Sequence, residues 1–379
     1  MFIYVRSRLN FVALFVLVTL LVALKSASAD NGQQTVVGIE SLGVVTFETG
    51  FEFAGTEVGG LSGITYDSGR GVYYVLSDDR SEVNPARYYE VDIDLADGSL
   101  DPGDVTFLGV TFLRDQTGAL FAENSLDPEG IHLARPGQLF ISSEGNAAAS
   151  PPVDPFVNRF NPAGKQNRAL TVPDKFLPDG NGTFGVRNNL AFESLTANND
   201  SLYTATENAL VQDGPPATLT NGSPSRVLEY DLASKRPGRE FVYMVSPIPA
   251  GSNPPGLFAD NGLVELQTLD DRGTFLAMER SFAVGVGNTV RLFEISTEGA
   301  TDVSGYEALP ASFEPMSKLF VADFETDLGV DPDNLEGMTF GPTLPDGRVL
   351  LIVVSDNNFN PSQITQFIAL AVELETVGD

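Results

Sequence analysis

The sequence contains no cysteine and no tryptophan, and His132 is the single histidine among 379 residues. Without cysteine the chain forms no disulfide and has neither a thiol nucleophile nor thiolate metal ligands. One histidine excludes a zinc site built from several histidines and the paired-histidine chemistry of acid phosphatases. We interpret His132 itself as a packed or surface residue of a strand.

Basic residues are also scarce. The chain has 22 Lys+Arg against 51 Asp+Glu, which gives a formal net charge of −29. A field of this sign repels nucleic acid and anionic membrane surfaces, so we expect neither as a partner. Divalent cations are natural partners for so many carboxylates.

The N-terminal segment predicts export. Arg6 and Arg8 precede an apolar run over residues 11–24, and Ala27-Ser28-Ala29 is a small-residue cleavage signal. The run is shorter than the roughly 20 residues of a spanning helix, which favours a signal peptide over a membrane anchor. We predict a signal peptide over residues 1–29 and one mature domain over residues 30–379. We expect this domain to be a periplasmic or extracellular monomer without a stable membrane span.

One pattern of two strands occurs five times, at intervals of roughly 70 residues. A first strand carries a polar or acidic residue, and a second strand ends in a small residue followed within two positions by an acid. The anchors of the first strands are Ser62, Glu129, Glu193, Glu265 and Glu336. A third strand of alternating character follows in each repeat, and fourth strands are clear at residues 105–110 and 239–244.

Four antiparallel strands repeated at similar spacing are typical of a propeller blade. We therefore predict an all-β fold, a β-propeller of five or six four-stranded blades. The strand over residues 35–47 has no unit of its own, so we expect it to close the last blade as an outer strand. The competing fold, a pair of β-sandwiches, does not require an acid-ending strand five times.

Repetition around a channel brings one acidic residue per blade to one end of the ring. The carboxylates expected there are Glu129, Glu193, Glu265 and Glu336 from the first strands, and Asp78, Glu144, Glu207, Glu279 and Asp356 after the second strands. Clustered like charges repel strongly without a counterion. Ca²⁺, which takes about six to eight oxygen ligands, suits such a set. The predicted Ca²⁺ ligands are Glu129, Glu144, Glu193, Glu207, Asp331, Asp333, Glu336 and Asp356.

Two groups of residues keep a second interpretation. Asp331 and Asp333 belong to the densest local cluster of acids, where turn chemistry and solvation are the alternative to metal ligation. Basic residues near the strand ends can bind a phosphate through their side chains or simply pair with neighbouring acids. These basic residues are Arg80, Arg87, Arg187, Arg226, Arg280 and Lys318.

Five motifs, taken in order, resemble the phytase-like family, also called the esterase-like activity of phytase family. They are Gly59-Gly60-Leu61-Ser62-Gly63-Ile64, Asp127-Pro128-Glu129-Gly130-Ile131, Asn189-Leu190-Ala191-Phe192-Glu193-Ser194-Leu195-Thr196, Asn334-Leu335-Glu336-Gly337-Met338 and Ser355-Asp356-Asn357-Asn358-Phe359. The resemblance covers residues 58–374 and implies a secreted propeller that hydrolyses phosphoesters or esters. Propeller phytases surround a phosphate with several Ca²⁺ ions, carboxylates and basic residues. This chain is poorer in lysine and arginine, which argues against phytate itself.

The first functional hypothesis is thus a Ca²⁺-dependent hydrolase of phosphoesters, which takes a small anionic substrate. Glu193, Glu336 and Asp356 would serve as ligands or base, and Arg80 or Arg280 would steady the anion. The second hypothesis is a hydrolase of a carboxylic ester or lactone that uses one Ca²⁺. The third is a non-catalytic binding propeller whose ions hold the loops together.

Overall fold

The computed structural model describes Met1, residues 32–135 and residues 137–378. The predicted signal peptide, apart from Met1, lies outside the described residues. Within these ranges, no helix has both the length and the apolar character needed to cross a membrane.

The described residues form five antiparallel four-stranded sheets, here called blades 1 to 5. Strand β1 and a small hairpin come first: β1 (Gln33–Glu48), β2 (Glu52–Phe53) and β3 (Thr56–Glu57). Blade 1 contains β4 (Leu61–Asp67), β5 (Val72–Ser77), β6 (Arg87–Ile93) and β7 (Val105–Phe112). Blade 2 contains β8 (Pro128–Arg135), β9 (Gln138–Ser143), β10 (Phe156–Phe160) and β11 (Gln166–Ala169).

The remaining blades follow in chain order. Blade 3 contains β12 (Phe192–Ala197), β13 (Ser201–Thr206), β14 (Ser223–Asp231) and β15 (Arg236–Val245). Blade 4 contains β16 (Gly262–Thr268), β17 (Thr274–Ala283), β18 (Gly287–Ser296) and β19 (Ser317–Asp323). Blade 5 contains β20 (Leu335–Thr343), β21 (Val349–Ser355) and β22 (Ile364–Val377). Two 3₁₀ turns of the described chain lie in loops beside blade 3, at Asp174–Phe176 and Val211–Asp213.

Strand β1 supplies the fourth strand of blade 5. It pairs antiparallel with β22 along its length, from Gln33 opposite Val377 to Glu48 opposite Ile364. The innermost strands β4, β8, β12, β16 and β20 lie side by side, and β20 neighbours β4 to complete the circle. The predicted propeller and its closure by the N-terminal strand are confirmed, and the described residues form five blades.

Apolar faces of neighbouring blades hold the ring together. Between blades 5 and 1, for example, Ile64, Val75 and Tyr89 pack in one buried cluster with Ile352 and Phe367. Alternation along each strand produces these faces, because successive side chains point to opposite sides of a sheet. Burial of one such side chain contributes about 1.5–3 kcal/mol, so the inter-blade clusters are the main source of stability.

Each innermost strand carries a β-bulge near its start. The pairing with the second strand skips Ser62, Glu129 with Gly130, Glu193, Val264 and Glu336 in blades 1 to 5 respectively. A bulge leaves an unpaired residue and redirects its side chain. The bulges therefore set which side chains reach the mouth of the central channel.

Candidate active site and metal centre

A cavity of about 970 Å³ opens at the end of the ring where the innermost strands begin. Its acidic lining residues are Asp78, Glu129, Glu193, Glu207, Asp260, Asp333, Glu336 and Asp356. Among the described residues, the basic side chains that line it are Arg80 and Arg280. Six of the eight predicted Ca²⁺ ligands, all except Glu144 and Asp331, thus line the cavity together with both predicted anion-binding arginines.

The strand register places two sets of equivalent residues around this mouth. The bulge set is Ser62, Glu129, Glu193, Val264 and Glu336. In each blade, the residue just before the bulge pairs with a residue of the second strand. The residue that directly follows this partner belongs to the second set, which comprises Asp78, Glu144, Glu207, Arg280 and Asp356. Blade 4 departs from the acidic pattern in both sets, with Val264 in one and Arg280 in the other.

The predicted equivalence of Glu265 with the other first-strand acids is wrong by one residue. Glu265 occupies the position that Gly63, Gly130 and Gly337 hold in other blades. Its Oε1 atom accepts the backbone N–H groups of Leu266 at 2.9 Å and Leu195 at 3.2 Å. Burial raises the pKa of this carboxyl well above its ordinary value. Glu265 therefore joins innermost strands and is not one of the residues that line the cavity.

Truncation of Glu265 to alanine is expected to lower the free energy of unfolding by about 2–4 kcal/mol, because buried N–H groups lose their acceptor and a void remains. Glu265→Gln keeps an oxygen acceptor of the same shape and is expected to cost about 1 kcal/mol or less. Urea unfolding of the two variants measures the difference. Equal losses for both variants would contradict the assigned contacts.

Glu279 also lies away from the mouth. The register places it one residue before the mouth position, and its buried carboxylate accepts hydrogen bonds from Tyr243 Oη at 2.7 Å and Asn261 Nδ2 at 3.1 Å. Lys318 Nζ forms an ion pair with it at 2.5 Å. The prediction that Glu279 belongs to the acidic ring is wrong, and Arg280 takes its place.

The closest group of carboxylates comprises Asp127, Glu129 and Glu144, here called the blade 2 triad. One oxygen from each lies within 4.8 Å of the others, and all three residues are buried. Asp127 Oδ1 has no hydrogen-bond partner among the described residues, although Arg80 lies 2.5 Å from Oδ2. Burial raises the pKa of Asp127 to about 6 despite the opposing effect of Arg80. An all-oxygen set with a free buried oxygen fits a hard cation such as Ca²⁺.

Asp127 was missing from the predicted ligands. Asp127 lies just before β8, directly ahead of Pro128 in one of the motifs that resemble the phytase-like family. Because it lies outside the strand, the alternation of strand residues does not predict it as a ligand. Its backbone oxygen accepts the N–H of Glu144 at 2.9 Å, which fixes the start of β8 against the end of β9. The sequence feature that could have identified Asp127 is its place two residues before Glu129, in the order Asp-Pro-Glu.

Glu144 and Glu193 connect the blade 2 triad to the next blade. Glu144 accepts the backbone N–H of Ala191, and its side chain hydrogen-bonds that of Glu193. Burial, followed by the charge of neighbouring acids, raises the pKa of Glu144 to about 8 and that of Glu193 well above its ordinary value. Such crowding favours either shared protons or a bound cation.

Arg280 occupies the other side of the cavity among three acids. Its guanidinium lies 3.2 Å from Glu336, 3.3 Å from Asp260 and 3.8 Å from Glu207. Asn334 Nδ2 donates to Glu336 at 2.9 Å. Burial lowers the pKa of Arg280, but the nearby carboxylates outweigh it and raise the pKa overall. Arg280 Nε has no hydrogen-bond partner among the described residues, so one buried donor is free.

The two remaining predicted ligands differ in position. Asp333 lines the cavity, but its carboxylate also accepts backbone N–H groups of Asn334 at 2.8 Å and Ile364 at 2.7 Å. Asp331 is exposed and is not among the lining residues. The structure therefore does not bring Asp331 into the carboxylate group.

Most of the other basic candidates have structural contacts. Arg87 pairs with Asp79 at 2.7 Å, and Arg187 donates to backbone oxygens, including that of Gly214 at 2.6 Å. For Arg87, Arg226 and Lys318, pairing with neighbouring acids therefore fits better than anion binding, whereas Arg187 binds backbone oxygens. His132 lies on β8 below the mouth, where burial lowers its pKa to about 4.

The chain is thus a β-propeller whose channel opens onto a ring of carboxylates. The chain belongs to the phytase-like family, described as esterase-like activity of phytase, whose family model matches residues 56–359. This confirms the resemblance seen in the sequence motifs. No curated protein matches the chain.

Several solved structures show similarity at low identity. The Dos1 propeller is 8% identical with a TM-score of 0.34, over 82% of this chain and 68% of that chain. The WD40 domain of Neurospora crassa Pan2 is 9% identical with a TM-score of 0.30, over 84% and 64%. A GH43_12 protein from a capybara gut metagenome is 13% identical with a TM-score of 0.40, over 82% and 51%. These structures are too distant to transfer any residue role.

Proposed function

We propose that the chain is an exported hydrolase that cleaves phosphoesters or related esters with Ca²⁺ at the mouth of the propeller. The observation that supports this most directly is the blade 2 triad, three buried carboxylates with oxygens within 4.8 Å. Buried carboxylates at this separation repel unless a proton or a cation compensates them. Membership of the phytase-like family supports hydrolysis as the activity.

The chain offers ligands for more than one ion. Asp127, Glu129 and Glu144 would hold the first, and Glu336 and Asp356 face the same region with oxygens bridged by Asn334 Nδ2. When bound, Ca²⁺ would polarise the ester oxygens and lower the pKa of a coordinated water.

The protein itself would orient the ester and move the proton. Arg280 lines the cavity with a free Nε–H, so this donor is assigned to an oxygen of the substrate anion. Glu193 also lines the cavity and hydrogen-bonds Glu144 of the triad. Its carboxylate is therefore assigned to accept the proton of the attacking water, and the departing alcohol is released as that proton returns.

The test is hydrolysis of an aryl phosphate and an aryl ester by the purified mature protein, with Ca²⁺ and after chelation. Chelation is expected to abolish turnover, and Glu129→Gln and Glu336→Gln are each expected to lower kcat/KM by about 100-fold or more. Glu52→Gln, an exposed residue of β2, is the matched control and is expected to leave kcat/KM unchanged.

Turnover that survives thorough chelation would overturn the metal assignment. No turnover of either substrate, together with a Ca²⁺-dependent rise in Tm, would also overturn the proposal. That outcome would make the ions structural and the propeller a non-catalytic binding module.

A further inference from the structure

We propose that the substrate carries an apolar aryl or alkyl group beside its scissile ester, and that an apolar wall formed by Phe258 and Phe282 binds this group. The identity of the scissile bond rests on the proposed function, whereas the wall binds the apolar group whether or not the bond is cleaved.

The wall is part of the same cavity as the carboxylates. The apolar residues that line it are Leu190, Pro216, Ala217, Phe258, Ala259 and Phe282. The ring centroids of Phe258 and Phe282 lie 6.3 Å apart, and Phe258 is 60% exposed. A large aromatic side chain exposed inside a polar-rimmed cavity is a typical anchor for an apolar ligand group.

Backbone hydrogen bonds fix the wall in place. Strand β17 continues three residues beyond Arg280, and the loop before blade 4 pairs with this extension. The N–H of Val284 donates to the Phe258 oxygen at 3.0 Å, and the N–H of Asp260 donates to the Phe282 oxygen at 2.9 Å. A preorganised wall of this kind loses little conformational entropy when a ligand binds.

Blade 4 is less acidic at the mouth than the other blades. It replaces both mouth acids, with Val264 and Arg280, and adds the extension that carries Phe282. By contrast, β5 of blade 1 ends at Ser77, one residue before Asp78. The mouth is therefore acidic over most of its circumference, and in the blade 4 sector apolar side chains lie beside the Asp260–Arg280 pair, which matches a ligand with one polar head and one apolar group.

The charges at the mouth argue against a polyanion. Among the described residues, the cations that line the cavity are Arg80 and Arg280. Arg80 already lies 2.5 Å from Asp127, and Arg280 lies 3.2 Å from Glu336. A substrate with several phosphates would need further counter-charges that the lining does not supply. A substrate with one anionic or ester group, which the cations bind, and one apolar group, which the wall binds, is complementary to both parts of the cavity.

The experiment compares phenyl phosphate with 4-butylphenyl phosphate, and phenyl acetate with 4-butylphenyl acetate, in the mature protein with Ca²⁺. Within each pair the leaving groups are similar in reactivity, so the ratio of kcat/KM values reports binding of the butyl group. The ratio is expected to be about tenfold or more in favour of the butyl compound and to fall to near one in Phe258→Ala with Phe282→Ala. Phe320→Ala on the outer strand β19, 51% exposed, is the control and keeps the ratio.

Binding of the non-hydrolysable 4-butylphenyl phosphonate and methyl phosphonate, measured by calorimetry, separates this inference from the proposed catalysis. Tighter binding of the butylphenyl compound, lost in the Phe258 and Phe282 variant, supports the wall even if no substrate is cleaved. A ratio near one in the unmodified protein, in rates or in affinities, overturns the inference. So does a preference that survives removal of both phenylalanines.

Discussion

Arg226→Met is expected to lower the free energy of unfolding by about 3–5 kcal/mol, because it leaves buried acids without their counter-charge. The Arg226 side chain is fully buried and binds both oxygens of Asp213, at 2.6 and 2.9 Å. It also lies 3.0 Å from Glu240, which contacts Lys175 at 3.2 Å. These contacts join the 3₁₀ turns beside blade 3 to strands β14 and β15, so the loss affects the whole blade.

The measurement is urea unfolding of Arg226→Met beside Arg239→Met. Arg239 forms the same kind of pair, 2.8 Å from Glu229, but its side chain is 57% exposed. An exposed pair contributes about 1 kcal/mol or less, so this control is expected to unfold almost like the unmodified protein. Equal losses in the two variants would contradict a structural role for the buried group.

The second large effect is on the pH dependence of stability. In the presence of a chelator, the free energy of unfolding is expected to fall by at least about 3 kcal/mol between pH 5 and pH 9. Burial raises the pKa values of Glu144 and Glu207 from 4.5 to about 8, and those of Glu129 and Asp356 well above the ordinary range. The folded state thus holds protons that the unfolded chain releases.

The direction follows from where these groups titrate. A raised pKa in the folded state gives stability that is complete below about pH 4.5 and is lost as the pH rises through about 8. Carboxyl groups with lowered pKa values, such as Asp179 at about 2, act in a lower pH range. Thermal unfolding across this window, with chelator and with excess Ca²⁺, tests the expectation. Ca²⁺ is expected to remove the loss, and chelated protein whose stability is flat or rises with pH would contradict it.

The sequence pattern was sufficient for the fold because the inter-blade clusters are built from regular alternation. Residues 35–47 alternate without a unit of their own, and β1 indeed pairs with β22. The sequence predicts five or six blades and does not choose between them, because long loops make the spacing of the repeats irregular. The number of innermost strands, each with its bulge, settles it at five in the described chain.

The mouth of the channel was only partly predictable from the sequence. Glu193 and Glu336 occupy equivalent bulge positions, and Asp356 follows its second strand as Glu207 does, so the repeat predicts that they lie together. In blade 4 an acid stands one residue later, and the sequence alignment of Glu265 with Glu193 ignored the bulge at Val264. A shift of one residue in a strand reverses the direction of a side chain, which is why Glu265 and Glu279 point elsewhere.

The apolar wall lay beyond sequence reasoning for a different reason. Phe258 is in a proline-rich loop with no strand periodicity, and its position depends on pairing with the extension of β17. Contacts of this kind join segments whose relation appears only in the folded chain. The low content of basic residues was the sequence feature that pointed in the same direction, since it already argued against a polyanionic substrate.

The most direct test of the central proposal is a crystal structure of the mature protein grown with Ca²⁺, with the ions located by their anomalous signal. The expected result is an ion within about 2.3–2.6 Å of oxygens from Asp127, Glu129 and Glu144. Absence of an anomalous peak at this triad in saturating Ca²⁺, with the carboxyl groups still hydrogen-bonded to one another, would contradict the proposed metal centre.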